Sequence, residues 1–224
     1  MSFMRSKIFI VALFGFCGSF LLAQTGDTVS TISPRLWTKF TYRLKPAKKL
    51  NIDLSALYRD VGGEEGKNSL ISEVQFNLEQ SKTLTIATEL RHYSIFVVDG
   101  LDQRWRARVS AIKSFDIGKD DFSIRLGAQH REVISGGGSA RADARFRGGY
   151  TKSIKNWKWD PTVYSEYIGS IYSEKPDKHS HRLRLGIETD NKVIGGKLSV
   201  GYFYQHDFTE SAIHYNTISL GYRF

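Results

Sequence analysis

One pattern constrains the fold of this chain more than any other: apolar and polar residues alternate at every second position over long stretches. The segment LNIDLSALYR (50–59) carries Leu, Ile, Ala and Tyr on one face and Asn, Asp, Ser and Arg on the other. The segments LISEVQFNLE (70–79) and FSIRLGAQHR (122–131) repeat it. A period of two is that of a β-strand with one apolar and one polar face, and no long segment offers the helical period. The chain is therefore predicted to be all-β.

The predicted strands are long. About eleven candidate strands can be counted, most of about ten residues or more. Strands in soluble sandwiches usually have about five or six residues, whereas a tilted strand that crosses a bilayer needs about nine to eleven. The lengths therefore favour a transmembrane β-barrel.

The connections between the predicted strands alternate in length. Short turns are predicted at 45–49, 79–82, 116–121, 152–157 and 190–196. Longer polar or glycine-rich loops are predicted at 61–68, 96–102, 134–139, 170–180 and 207–214. Short periplasmic turns and longer extracellular loops are typical of outer-membrane barrels. We therefore predict a closed, antiparallel, up-and-down transmembrane β-barrel.

The topology also predicts the number of strands. If Phe224 ends in the periplasm, counting back through the turns makes residues 36–44 a descending strand. Two periplasmic termini then require one more, rising strand, for which Thr28–Ser33 is the candidate. The prediction is about twelve strands, or ten if the N-terminal segments do not span. Pro161 cannot donate to a ladder, so its strand is expected to start at Thr162 or to carry a bulge.

The first residues resemble a secretory signal peptide. Arg5 and Lys7 precede an uncharged apolar run, residues 8–22, and Ala23 supplies a small residue for cleavage. We therefore predict a signal peptide over residues 1–23 and a barrel domain over residues 24–224. The only cysteine of the chain, Cys17, lies in the signal peptide. The exported domain is thus expected to form without disulfides.

The last residues, TISLGYRF, place Tyr222 and the terminal Phe224 on one face. This end resembles the C-terminal signal of bacterial outer-membrane barrels, which the barrel-assembly machinery reads. The expected location is the cell outer membrane, and the expected partners are outer-membrane lipids and that assembly machinery.

Arginine recurs at alternate positions, as in QRWRARVS (103–110), RADARFRGG (141–149) and HRLRLGIE (181–188). Arginine interleaved with aromatic residues can bind nucleic acid, but an exported barrel makes that partner unexpected. A guanidinium that faces lipid at mid-depth costs about 2–4 kcal/mol, whereas one in the lumen can pair with a carboxylate. The arginines are therefore predicted to point into the lumen.

The predicted lumen charge ladder comprises Arg104, Arg106, Arg108, Arg125, Arg141, Arg145, Arg147, Arg182, Arg184, Glu73, Glu89, Asp143, Glu166 and Glu188. The same alternation along the strands also places Lys39, Arg43, Arg91, Arg131, Lys197 and Asp53 on the face that points into the lumen. Cations outnumber acids, so small anionic solutes are candidate partners.

Several of these patterns together resemble a known family. They are Trp37 in LWTKFTYRLKPAKKLNIDLSALYR (36–59), the alternating arginines of RWRARVS (104–110) and RLRLGI (182–187), and the closing GYRF. The chain resembles the outer-membrane β-barrel family known as domain of unknown function 2490, over essentially all of the mature sequence. The resemblance implies an outer-membrane location and a closed barrel, and it supplies no activity or functional residues.

Residues with catalytic or metal-binding chemistry are few. His92 and Ser94 resemble the His-x-Ser arrangement of lipid A deacylases, but no acid partner can be identified. His179 and His181 would form an incomplete metal site. The glycines at 136–138 have no following helix or lysine, as a phosphate-binding loop requires. We therefore predict no catalytic residues, no metal and no cofactor.

Three functional hypotheses remain. The first is a structural or partner-binding barrel whose lumen is filled by its own arginine and carboxylate side chains. The second is a narrow, anion-preferring pore or small-solute transporter, and the third is a lipid-modifying outer-membrane enzyme. Barrels of about this strand number have little spare interior once long side chains enter it, which favours the first hypothesis.

Overall fold

The computed structural model describes residues 32–60, 68–98, 100–136, 138–175, 181–193, 195–208 and 213–224. Within these ranges the chain forms eleven β-strands and no helix. In chain order the strands are β1 (Ile32–Ala47), β2 (Leu50–Asp60), β3 (Ser69–Glu79), β4 (Leu84–Val97), β5 (Gly100–Ile117), β6 (Asp120–Ser135), β7 (Arg141–Thr151), β8 (Pro161–Ser173), β9 (His181–Val193), β10 (Gly196–Phe208) and β11 (Ile213–Arg223). Each strand pairs with the next along the chain, and β1 also pairs with β11, so the sheet closes into a barrel. The predicted all-β closed barrel is confirmed.

The alternation in sequence becomes an inner and an outer wall. The outer wall carries large apolar side chains, while most of the fully buried side chains on the inner wall are polar or charged. This arrangement inverts the usual distribution in a soluble protein, whose apolar residues face the interior. Side chains that are more than half exposed on the outer wall include Phe40, Leu90, Val109, Leu126 and Ile218.

The barrel closes with a parallel pair of strands. Ile32–Thr41 of β1 pairs in parallel with His214–Arg223 of β11, whereas every other pair is antiparallel. The described strands number eleven, instead of the predicted twelve or ten, and an odd number gives the first and last strand the same direction. Of the candidate twelfth strand, Ile32 and Ser33 belong to β1, and Thr28–Thr31 lie outside the described residues.

The two ends of the barrel differ in their connections. The end formed by the turns at 48–49, 80–83, 118–119, 152–160 and 194–195 is called the turn end, and the opposite end is called the loop end. Several connections differ in their bounds from the prediction; those at 118–119 and 194–195, for example, are shorter than the predicted 116–121 and 190–196. Residues 98–99 alone join β4 to β5 at the loop end, and the β7–β8 connection at the turn end extends to residue 160. Pro161 is the first residue of β8, a position that tolerates its missing N–H.

The last residue of the chain is tied into the parallel seam. The Phe224 backbone N–H donates to the Thr41 carbonyl at 2.9 Å, and the Arg43 N–H donates to the Phe224 carbonyl at 3.3 Å. The Phe224 ring lies on the outer wall and packs edge-on against Tyr222, with 4.7 Å between the ring centres. The C-terminal segment singled out in the sequence therefore helps to close the barrel.

The barrel forms one compact unit, Thr31–Phe224. The predicted signal peptide, residues 1–23, and the predicted start of the barrel domain at residue 24 lie outside the described residues. Among the residues that the structure describes, no helix is long and apolar enough to cross a membrane.

Candidate functional site

The predicted lumen charge ladder lies on the inner wall of the barrel. All of its side chains except that of Arg125 line a central cavity of about 710 Å³ or form ion pairs with side chains that do. The cavity runs from Arg43 and Asp53 near the turn end to Arg104 and Arg141 near the loop end. The candidate site is therefore the lumen itself.

Glu89 of β4 is the centre of the densest charge cluster. Its carboxylate is 1% exposed and contacts Arg91 Nε at 2.9 Å and Arg106 Nη2 at 2.6 Å. Arg108 Nη2 also donates to the same carboxylate. Arg106 and Arg108 alternate along β5, so both guanidinium groups reach Glu89 from the neighbouring strand. One buried carboxylate thus compensates part of the charge of three arginines.

Glu73 extends this cluster across β2. Its buried carboxylate accepts hydrogen bonds from Arg91 Nε on β4 and from Lys39 Nζ on β1, the latter at 2.5 Å. Because β2 lies between β1 and β3 in the sheet, the lysine side chain spans an intervening strand. The ion pairs therefore link strands that are not hydrogen-bonded to one another.

Asp143 of β7 collects a second set of partners nearer the loop end. Its side chain is 1% exposed and contacts Arg141 Nε at 2.9 Å and Arg182 Nη2 at 3.3 Å. Gln129 Nε2 also donates to it at 2.6 Å. Arg182 lies on β9 and reaches Asp143 past β8, so this cluster also bridges non-adjacent strands.

Glu166 of β8 is the centre of a third set of partners. Arg145 Nη2 contacts its carboxylate at 2.7 Å, and Arg184 Nη1 lies at 3.4 Å. Arg184 Nε additionally donates to the Gln205 side chain on β10 at 2.6 Å. These side chains therefore connect β7 to β8, β8 to β9 and β9 to β10.

Nearer the turn end, the pairing becomes simpler. Arg43 binds Asp53 through two parallel hydrogen bonds of 2.6 Å each, the bidentate geometry that makes such pairs strong. Arg147 contacts Glu188 at 2.5 Å, and the Glu188 side chain is 45% exposed. These pairs are more accessible to water than those around Glu89.

Aromatic and aliphatic side chains also enter the lumen, and sequence analysis assigned none of them to it. The Trp37 ring packs edge-on against Phe203 with 5.0 Å between ring centres. The Arg59 guanidinium lies 3.9 Å from the centre of the Trp37 ring, and that of Arg184 lies 5.7 Å from it. Trp37 shares the inner face with Lys39, so its parity in the sequence carries the signal.

A small apolar cluster occupies the lumen wall nearby. It consists of Leu57, Ile71 and Tyr93, all less than one tenth exposed, with Ile95 packed against them. The Arg59 guanidinium lies 5.8 Å from the Tyr93 ring centre, which connects the cluster to the arginines around Trp37. These side chains fill lumen space that a wide channel would leave to water.

Cations exceed carboxylates along the lumen. Among the described residues, Arg59, Arg125 and Arg131 have neither a hydrogen-bond acceptor nor an ion-pair partner, and their Nε atoms are buried. Burial of a guanidinium without compensating contacts costs free energy, which the Trp37 and Tyr93 rings offset in part for Arg59. The surplus of positive charge is a property that a ligand could use.

A polar contact at the turn end fixes the longest connection there. Asp120 accepts hydrogen bonds from Lys152 Nζ at 2.8 Å, from the Tyr150 hydroxyl, and from the Ser153 backbone N–H at 3.1 Å. The hydrogen bond from Lys152, followed by that from Tyr150, holds the pKa of Asp120 below its usual value. This carboxylate therefore anchors the β7–β8 connection on the neighbouring β5–β6 turn.

Two of the histidines singled out in the sequence, His92 and His181, are described by the structure and lie apart from the lumen. His92 and Ser94 lie on the outer wall opposite Trp105 and Gln103, and no described carboxylate hydrogen-bonds to His92. His181 Nδ1 lies 2.6 Å from the Tyr167 hydroxyl, and His179 is outside the described residues. In the described part of the chain, no three His, Cys, Asp or Glu side chains are grouped to hold a metal.

The glycine-rich segment at 136–138 belongs to the β6–β7 connection at the loop end, and its middle residue is outside the described residues.

Comparison with protein-family models, with curated proteins and with solved structures finds no match to this chain. The resemblance to the domain of unknown function 2490 family therefore stays a prediction.

Proposed function

We propose that this protein is an integral outer-membrane β-barrel whose lumen is filled by its own side chains, and that it acts as a structural or partner-binding element. The closed barrel and its apolar outer wall support the membrane location. Soluble monomers rarely expose contiguous apolar patches larger than a few hundred Å². Lipids would cover this wall, and the barrel-assembly machinery would recognise the segment that ends in Phe224.

The contacts of Trp37 carry the proposal of a filled lumen. Its ring extends from β1 and meets Phe203 on β10 and the guanidinium groups of Arg59 and Arg184. Cation–π contacts of this kind are worth about 0.5–2 kcal/mol each, more where water is excluded. Side chains from one arc of the barrel, β9 to β2, thus pack together in the interior and narrow the lumen at this level.

The location is tested by fractionation of cells that express the full chain. We expect recovery in the outer-membrane fraction, and faster migration of the unheated protein on gels, because closed barrels stay folded in detergent until they are boiled. Recovery as a soluble periplasmic protein would contradict the proposal.

A second candidate function, a narrow anion-preferring path, is favoured by the surplus of lumen cations around the cavity. Fixed positive charge lowers the barrier for anions and raises it for cations. In planar bilayers we expect any conductance to be small and anion-selective, and to weaken when Arg104, Arg106 and Arg108 are changed together to Gln. Cation selectivity would contradict this candidate, and a folded protein without conductance would support the filled barrel alone.

A further inference from the structure

The register of the sheet places four lumen arginines in one row. Arg91 of β4, Arg106 of β5, Arg131 of β6 and Arg141 of β7 are successive cross-strand partners. Directly opposed residues have Cβ atoms about 4.5–5.5 Å apart, and like charges in this arrangement destabilise the sheet. A row of four guanidinium groups therefore requires negative charge nearby.

Three members of the row contact a carboxylate. Arg91 and Arg106 contact Glu89 at 2.9 and 2.6 Å, and Arg141, at the other end of the row, contacts Asp143 at 2.9 Å. Arg131 lies between Arg106 and Arg141, and among the described residues it has no acceptor for its donors and no ion-pair partner. The deficit of negative charge is therefore greatest at Arg131.

Arg131, the member of the row without a carboxylate partner, lines the lumen cavity. All four arginines of the row line that cavity, and Arg104 and Arg182 line it beside them. Each guanidinium presents a planar fork of donors that matches the oxygens of phosphate and carboxylate groups. The carboxylates Glu89 and Asp143 are already shared between several cations, so neither can neutralise Arg131 without leaving another arginine uncompensated.

We propose that the lumen binds a phosphate-type oxyanion at Arg131, between Arg106 and Arg141. A tetrahedral anion with several oxygens accepts hydrogen bonds from more than one guanidinium, and its double charge compensates more of the surplus than chloride does. Inorganic phosphate and small phosphate monoesters share this chemistry. The inference deepens the anion-preferring candidate function and rests on the same surplus of lumen cations, and entry from one end of the barrel is enough for the ligand to reach Arg131.

The test uses the full chain folded in a zwitterionic detergent. Inorganic phosphate is titrated against sodium chloride at matched ionic strength, and the midpoint of urea unfolding is measured at each concentration. A ligand that binds only the folded state stabilises it with a saturable dependence on concentration. We expect phosphate to raise the midpoint saturably and chloride to have a much smaller effect. Equal effects of the two salts on the wild-type protein would overturn the proposal.

The chain offers a matched control for the arginine. Arg131→Gln is expected to weaken phosphate binding at least tenfold, whereas Arg125→Gln should leave it unchanged. Arg125 is on the same strand and the same face, but only one arginine opposes it, Arg147, which is itself paired with Glu188. An equal loss in both variants would mean a diffuse effect of lumen charge and would refute a site at Arg131.

A lysine variant tests the site if Arg131→Gln does not fold. Arg131→Lys keeps the charge but removes the planar fork, and it should bind phosphate more weakly than the wild type does.

A comparison of ligands distinguishes a soluble phosphate from a lipid headgroup. Glycerol 3-phosphate should stabilise the protein as inorganic phosphate does, while phosphatidylglycerol in the micelles should not. A response to the lipid alone would refute a lumen site. If the folded barrel binds phosphate but conducts no ions, the proposed anion path is wrong and the proposed phosphate site at Arg131 is supported.

Discussion

Replacement of Glu89 by glutamine tests the electrostatic account of the lumen most directly. The carboxylate is 1% exposed and is shared by Arg91, Arg106 and Arg108. A hydrogen bond to a charged group contributes about 1.5–3 kcal/mol, and removal of one partner of a buried ion pair costs about 3–5 kcal/mol. Glutamine keeps one acceptor oxygen but places an NH₂ donor among three guanidinium groups. Because cavity water can solvate them in part, we expect a loss of about 3 kcal/mol of unfolding free energy.

The measurement is equilibrium urea unfolding of the refolded barrel in lipid vesicles, followed by tryptophan fluorescence and by gel mobility of unheated samples. Glu188→Gln is the matched control, because Glu188 is also a lumen glutamate but is 45% exposed and contacts Arg147 alone among the described cations. An accessible pair of this kind contributes about 0–1 kcal/mol. The two variants should therefore differ by about 2–3 kcal/mol.

The reasoning is refuted if Glu89→Gln unfolds within about 0.5 kcal/mol of the wild type, the range of an ordinary surface substitution. That result would mean that water already solvates the arginines around Glu89. A loss in Glu188→Gln as large as that in Glu89→Gln would likewise show that burial does not determine the energetics of the ladder.

Three other expectations follow from the same structure. Arg106→Ala should cost about 1–2 kcal/mol, less than the Glu89 variant, because Glu89 keeps two other cations; a larger loss in urea unfolding would contradict this order. Gly186→Ala should cost about 1–3 kcal/mol in the same assay, since an added Cβ would lie 2.5 Å from the Tyr164 ring, and a neutral result would show that the ring can move aside. Deletion of Phe224 should lower the heat-modifiable fraction in cells, because it removes two hydrogen bonds of the seam; an unchanged fraction would argue against that role.

Several features that sequence alone did not predict depend on contacts between strands that are separated by one other strand in the barrel. The ring of Trp37 meets Phe203 because β11, which lies between their strands, closes against β1. Lys39 reaches Glu73 past an intervening strand, and Arg182 reaches Asp143 in the same way. The alternation of residues along a strand identifies which side chains point inward, but it does not show which of these side chains contact one another.

The two faces of the wall can be assigned from the residue pattern, because successive side chains of a strand point to opposite sides whatever the strand pairs with. Arg104, Arg106 and Arg108 could therefore be assigned to one face from their spacing alone. The number of strands, the parallel seam and the row that joins Arg106 to Arg131 became known from the folded barrel. Register and closure depend on hydrogen bonds between segments distant in the chain, and these bonds leave no periodic pattern in the sequence of either segment.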